Sequence, residues 1–197
     1  MINISEPITD YLELRNIKKI LKSKNFTDAH FQKICENKIS KIIKQKVYLT
    51  QSCSHALEIS AILLNLKKGD EVLLPSYTFT STANAVVHRN ATPVFVDINK
   101  ENLCMDLDDL EKKINKKTKA IFIVHYGGNS CDIDKLLNIK RKYNIPIVED
   151  AAHAFLSKYK NKYLGTIGDI GTFSFHETKN FNGGQCGAIT IKNKKFL

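Results

Sequence analysis

From Lys46 onward the chain alternates short β-prone runs with stretches of helical periodicity, and few architectures accommodate that rhythm. The runs Lys46–Thr50, Glu71–Leu74, Pro93–Asp97, Ala120–Val124 and Ile145–Glu149 are separated by apolar-periodic stretches over 54–66, 80–89, 106–115 and 132–143. Two further runs, Gly171–Phe175 and Ala188–Lys192, follow. Strand, crossover helix and strand at this cadence predict an α/β domain whose mostly parallel sheet carries flanking helices. Ile121-Phe122-Ile123-Val124 and Ile145-Pro146-Ile147-Val148 are apolar throughout, as strands buried on both faces require.

Ahead of this alternation, residues 7–23 and 27–45 place Ile8, Leu12, Phe31, Ile34, Cys35 and Ile42 at helical spacing, with Thr27 or Asp28 as the expected N-cap. The chain thus divides into an N-terminal helical segment, 1–45, and a larger domain, 46–197. Its 197 residues suffice for one core. Five scattered cysteines without a C-x-x-C pair read as free thiols, not as zinc ligands or disulfides. There is no apolar stretch of about 20 residues to span a bilayer, and Met1–Pro7 show no secretory pattern. These features point to a cytoplasmic protein with no membrane partner. The net charge of +10 comes almost wholly from lysine, with three arginines among thirty basic residues. In 106–117 and 132–142 acids come first and basic residues last, which complements the dipole of a solvated helix. A nucleic-acid partner is therefore not expected; arginine forks and interleaved aromatics are missing.

In parallel sheets ligands sit outside the carboxyl ends of the strands, and there the sequence concentrates polar residues: Ser76 to Phe79, His125 to Gly128, Glu149 to His153 and Ser174 to Asn180. Lys179 stands among Ser, His, Thr and Asn and ahead of Gly183-Gly184, away from the lysine-rich helix ends. A lysine nucleophile joins carbonyls as a Schiff base, and the best-known carbonyl partner is pyridoxal 5′-phosphate (PLP). Its ring nitrogen wants a carboxylate, and its phosphate wants amides and hydroxyls. Asp150, at the end of a buried strand, is the candidate carboxylate, with a simple strand-end cap as the alternative. Gln51 to His55 open a strongly apolar helix whose first amides make an anion site, where Ser54 is either ligand or helix cap. Ser174 adds a hydroxyl from the opposite wall. Phe79 either stacks on the cofactor ring or belongs to the core.

Asp150-Ala151-Ala152-His153, followed by Phe173-Ser174-Phe175-His176-Glu177-Thr178-Lys179-Asn180, closely resembles the DegT/StrS-type PLP-dependent nucleotide-sugar aminotransferases. The resemblance runs from about Val47 to the last residues. It includes Gly69 to Val72, Pro75 to Phe79, Ser81 to Asn84, Val94 to Asp97 and Val124 to Tyr126. The spelling Phe175 to Asn180, with Ser52-Cys53-Ser54, is most similar to the dTDP-4-amino-4,6-dideoxygalactose transaminase branch.

The resemblance implies the large domain of a fold type I aminotransferase, with Lys179 as the Schiff-base and proton-shuttling residue. It implies Asp150 at the pyridine nitrogen and His153 near the phenolic oxygen. Ser54, the amide of His55 and Ser174 would form the phosphate cradle, with Phe79 stacked over the ring. The implied partners are glutamate and a dTDP-4-keto-6-deoxyhexose, and the implied assembly is a homodimer. Some relatives that do not transaminate lack the lysine; its presence here argues against a non-transaminating role.

Two departures stand out. Where the family commonly reads Gly-Gly-Glu-Gly-Gly, this chain has Gly183-Gly184-Gln185-Cys186-Gly187, and Cys186 should resist a close approach or a positive φ. Full-length relatives are also longer, with a C-terminal domain over the active site. The expectation is a large domain truncated at its C-terminus. The competing reading is an inactive fragment with missing sheet strands.

Overall fold

The alternation becomes a layered α/β structure in a computed structural model that describes residues 6–27 and 29–197. Helices α1 (Tyr11–Ser23) and α2 (His30–Ile43) lead into β1 (Val47–Thr50), α3 (Cys53–Leu63), β2 (Glu71–Pro75), α4 (Thr80–Val87) and β3 (Thr92–Val96). Then come α5 (Leu107–Lys113), β4 (Thr118–Val124), α6 (Ile133–Tyr143) and β5 (Ile147–Asp150). A minimal hairpin, β6 (Lys158–Tyr159) with β7 (Lys162–Tyr163), precedes β8 (Ile170–Ser174) and β9 (Gly187–Ile191).

The seven-stranded sheet has the order β1-β9-β8-β5-β4-β2-β3. Strands β8, β5, β4, β2 and β3 pair in parallel, while β9 runs antiparallel to both β8 and β1. The mostly parallel sheet with flanking helices is thus present. After β3 the chain returns to the other side of β2 to form β4, so the direction of strand progression reverses there. Crossovers keep one hand, and the reversal therefore moves the helices to the opposite face. Ala56, Leu57 and Ala61 of α3 and Val86 of α4 pack with Val72, Leu74, Phe122 and Val148 on one face. Leu110 of α5 and Ile133, Leu136 and Ile139 of α6 pack with Leu73, Ile121, Ile123 and Ile147 on the other. Consecutive strand residues serve different cores, which is why these strands are apolar throughout.

Asp106 and Asp132 start α5 and α6 by accepting hydrogen bonds from the second and third amides beyond them, at 2.8–3.2 Å. The N-terminal helices depart from expectation. α1 begins at Tyr11 behind an Asp10–Glu13 capping box, and none of its residues is buried. For α2, Asp28 lies outside the described residues, Thr27 does not cap, and the cap position is Ala29 at φ 56 with no side-chain hydrogen bond. β5 starts at Ile147, two residues later than expected, because Pro146 has no N–H to give a ladder. Among the described residues no helix is long and apolar enough to cross a membrane.

Alternation along β5 sends Glu149 towards the α6 side and Asp150 towards α3 and α4. Glu149 is buried, yet its carboxylate accepts the Nε2–H of His125 (2.8 Å) and the amides of Gly165 (2.8 Å), Ile167 (2.6 Å) and Gly168 (2.5 Å). Burial alone would raise its pKa; the His125 ring and the glycine amides outweigh that and hold it below the ordinary 4.5. A depressed folded value means stability present above about pH 4.5 and lost as the pH falls through the folded pKa. Glu149→Gln should lower the free energy of unfolding at pH 7 by about 3 kcal/mol. It should also flatten the loss of stability as the pH falls below about 4.5, read by urea denaturation at a series of pH values.

Candidate functional site

At the point where strand progression reverses, the loops after β2 and β4 diverge and leave a crevice. The cavity there has a volume of about 570 Å³, within the usual range for small-molecule sites. Ser54, Phe79, Asp150, His153, Ser174 and Lys179, six of the residues singled out in the sequence, all line it. His55 does not. Its ring lies in a separate open groove with Glu58 and Ile62, and its amide donates to Ser52 Oγ at 3.2 Å.

Asp150 is 4% exposed, and its carboxylate is held by donors from three elements. Thr82 Oγ1 of α4 donates to Oδ2 at 2.8 Å, and the Ala152 amide donates to Oδ1 at 3.1 Å. The Cys53 thiol at the start of α3 reaches Oδ1 at 3.9 Å and Thr172 Oγ1 at 3.5 Å. Burial and then the Asp150 charge push the Cys53 pKa well up, so this sulfur carries its hydrogen and acts as a donor. The carboxylate is far more than a strand-end cap. Cys53 and Thr82 belong to stretches that carry the resemblance, but nothing in the sequence assigns them to Asp150: Cys53 lies 97 residues from it and Thr82 lies 68.

His153 lines the cavity beside Asp150 and Lys179. Burial lowers its pKa, the Lys179 ammonium lowers it further, and the Asp150 carboxylate opposes both; the ring is neutral at pH 7. Its Nδ1 accepts the Gly127 amide at 3.5 Å, which assigns the hydrogen to Nε2. Tyr126 packs edge-on against this ring at 5.4 Å and accepts the Tyr77 hydroxyl at 2.8 Å. Phe79 stands at the rim, 74% exposed, so it is not core. Lys179 sits on the excursion between β8 and β9. That excursion is closed by Phe175 N–H to Cys186 carbonyl (2.8 Å) and Gly183 N–H to Phe175 carbonyl (2.7 Å). The Phe155 ring meets Phe175 and Phe181 at 5.0 Å and Phe173 at 5.8 Å, anchoring the excursion to the core.

The anion end is built differently from expectation in its detail. Ser52, not Ser54, caps α3. Ser54 Oγ instead pairs with Ser81 Oγ at 2.6 Å, across to α4. The first amides of α3, at Cys53 and Ser54, have no carbonyl one turn earlier to meet, which leaves donors and the positive dipole end at the cavity. Ser174, nearly buried, accepts the His176 amide at 3.4 Å. The glycine demands near Cys186 fall on its neighbours: Gly184 has φ +83, and a Cβ on Gly187 would sit 2.3 Å from the Ser52 carbonyl carbon. Both positions are still glycine, so Cys186 faces neither constraint. Gly187→Ala should therefore destabilise the fold by about 3 kcal/mol, whereas Cys186→Gly should change stability by less than about 1 kcal/mol, both measured by urea unfolding.

A lysine amine, a buried carboxylate fixed by three donors, an open helix N-terminus with nearby hydroxyls and an aromatic at the rim form the donor set that PLP requires, and the residues present fit it. Residues 7–196 match the DegT/DnrJ/EryC1/StrS aminotransferase family. The chain is 46% identical over 144 residues to the uncharacterized protein MJ1066 of Methanocaldococcus jannaschii, covering 73% of this chain and 37% of that protein. It is 42% identical over 139 residues to GDP-perosamine synthase of Escherichia coli O157:H7, covering 71% of this chain and 38% of that enzyme. Among solved structures, the PLP form of the putative sugar aminotransferase Spr1654 from Streptococcus pneumoniae superposes with a TM-score of 0.91 at 33% identity, covering 99% of this chain and 56% of that one. The aligned part of the chain thus covers well under half of each of these curated relatives. On the match over residues 7–196, it belongs to the DegT/DnrJ/EryC1/StrS aminotransferase family.

Proposed function

We propose that the protein transfers an amino group from glutamate to the 4-keto carbon of a nucleotide-linked 6-deoxyhexose, using PLP. The observation that carries this reading is the convergence of Lys179, Asp150 and His153 on one cavity, close enough for Lys179 and Asp150 both to act on the His153 ring. Bound PLP supplies an electron sink that lets an amino group pass between carbon skeletons. In this reading residues 46–197 form the cofactor domain and 1–45 a helical segment ahead of it.

Each residue then has a task. Lys179 Nζ binds the cofactor carbonyl and moves a proton between the two carbons concerned. Asp150 holds the proton on the ring nitrogen. His153, neutral with its hydrogen on Nε2, donates towards the phenolic oxygen. Ser54, Ser174 and the first amides of α3 bind the phosphate, and Phe79 covers the ring. The amide of His55 takes no direct part, because Ser52 Oγ accepts its hydrogen. The spelling Phe175 to Asn180 supports a dTDP-linked sugar; the GDP-perosamine synthase relative supports a GDP-linked one. A homodimer fits the open groove beside α3, where Ile59 and Ile62 are exposed.

The test adds glutamate, then dTDP- or GDP-4-keto-6-deoxyhexose, to the PLP-loaded chain. Glutamate should remove the visible absorbance of lysine-bound cofactor, and the accepted keto-sugar should restore it. Lys179→Ala should abolish the absorbance of lysine-bound cofactor from the outset, so that neither change is seen. A loaded chain whose spectrum ignores glutamate would instead support the inactive-fragment reading.

A further inference from the structure

Thr82 lies outside the cavity wall, fully buried, in the first turn of α4. A buried hydroxyl needs partners, and Thr82 has two. Its Oγ1 is 2.8 Å from Asp150 Oδ2 and 2.8 Å from Thr78 Oγ1. An ionised carboxylate only accepts, so the Thr82 hydrogen points to Asp150, and the Thr82 oxygen must then accept from Thr78. The result is a directed chain, Thr78 to Thr82 to Asp150, in which each hydroxyl polarises the next. On the other carboxylate oxygen, the Ala152 amide and the Cys53 thiol supply the remaining donors.

We infer that Thr82 is a positioning residue for the PLP ring nitrogen: through its hydrogen bond it fixes the Asp150 carboxylate. It touches no cavity ligand and acts through Asp150 alone. The inference rests on the assignment of PLP to this cavity. Thr78, half-buried in the cavity wall, starts the chain and orients the Thr82 lone pair. The same bond ties the first turn of α4 to the end of β5.

A double-mutant cycle decides the matter. Thr82→Val keeps the shape and removes the hydroxyl, Thr82→Ser keeps the hydroxyl, and Asp150→Asn removes the charge. PLP affinity is read by titrating the cofactor-free full chain and following cofactor absorbance. Thr82→Val should weaken PLP binding by about tenfold or more, as for loss of a hydrogen bond to a charged group. Thr82→Ser should restore it to within about twofold, and in the Asp150→Asn background Thr82→Val should change it by less than about twofold. Wild-type affinity in Thr82→Val, or additive effects in the double variant, would overturn the inference. Urea unfolding of the four cofactor-free proteins gives a second readout. Additivity there overturns the Thr82–Asp150 coupling even if no variant binds PLP, whereas absence of PLP binding by the wild type defeats the cofactor assignment itself.

Discussion

Two adjacent carboxylates at the end of β5 set the terms for everything around them. A strand turns successive side chains to opposite faces, so Glu149 and Asp150 are delivered to different layers of the molecule from one fixed backbone. Each is buried, and an unpaired buried charge would cost several kcal/mol. The layers must therefore each bring donors to the same strand end. On one side the turn from Gly165 to Gly168 and the His125 ring converge on Glu149. On the other, the first turns of α3 and α4 converge on Asp150. The backbone joins in: His125 N–H binds the Asp150 carbonyl at 3.0 Å, and Ala151 N–H binds Thr172 at 2.9 Å.

The difference between the two carboxylates lies in what remains after their donors are counted. Four donors fill the roughly four lone-pair positions of Glu149, leaving it nothing to offer a ligand. Asp150 has three, one of them a long thiol contact, and it faces a cavity. One residue is committed to holding the scaffold; its neighbour retains capacity for a cationic nitrogen. Lys179 and His153 arrive from two further loops and complete a site in which positive and negative groups act on one another.

Much of this was legible in the chain because parallel α/β architecture writes itself locally. Apolar runs mark the strands, acid-first helices carry their own caps, and the residue after each strand falls at the rim where ligands bind. Asp150, His153, Ser174 and Lys179 could be found that way. The donors that hold Asp150 could not, since the contacts from Cys53 and Thr82 exist only after β1, β2 and β5 have paired through other strands. Ser54 was the expected cap; the helix start, which follows the pairing of Thr50 with Gly187, gives that place to Ser52. The hairpin at Lys158–Tyr163 has strands of two residues, too short to show any alternation.

The same pairing explains how the sequence between the lysine and β9 can depart from its relatives without disturbing the site. Gly187 lies against the backbone of Ser52 and Cys53 so closely that no side chain fits, which presses the start of β9 onto the start of α3. At its other end the excursion is held by the Phe155 cluster, and Gly184 supplies the backbone turn. Between these fixed points Gln185 and Cys186 carry neither a positive φ nor a close backbone approach. The start of α3 and the lysine-bearing excursion are consequently one mechanical unit. A shift of β9 would move the two together, and their spacing is set by backbone contact and not by the side chains of Gln185 and Cys186.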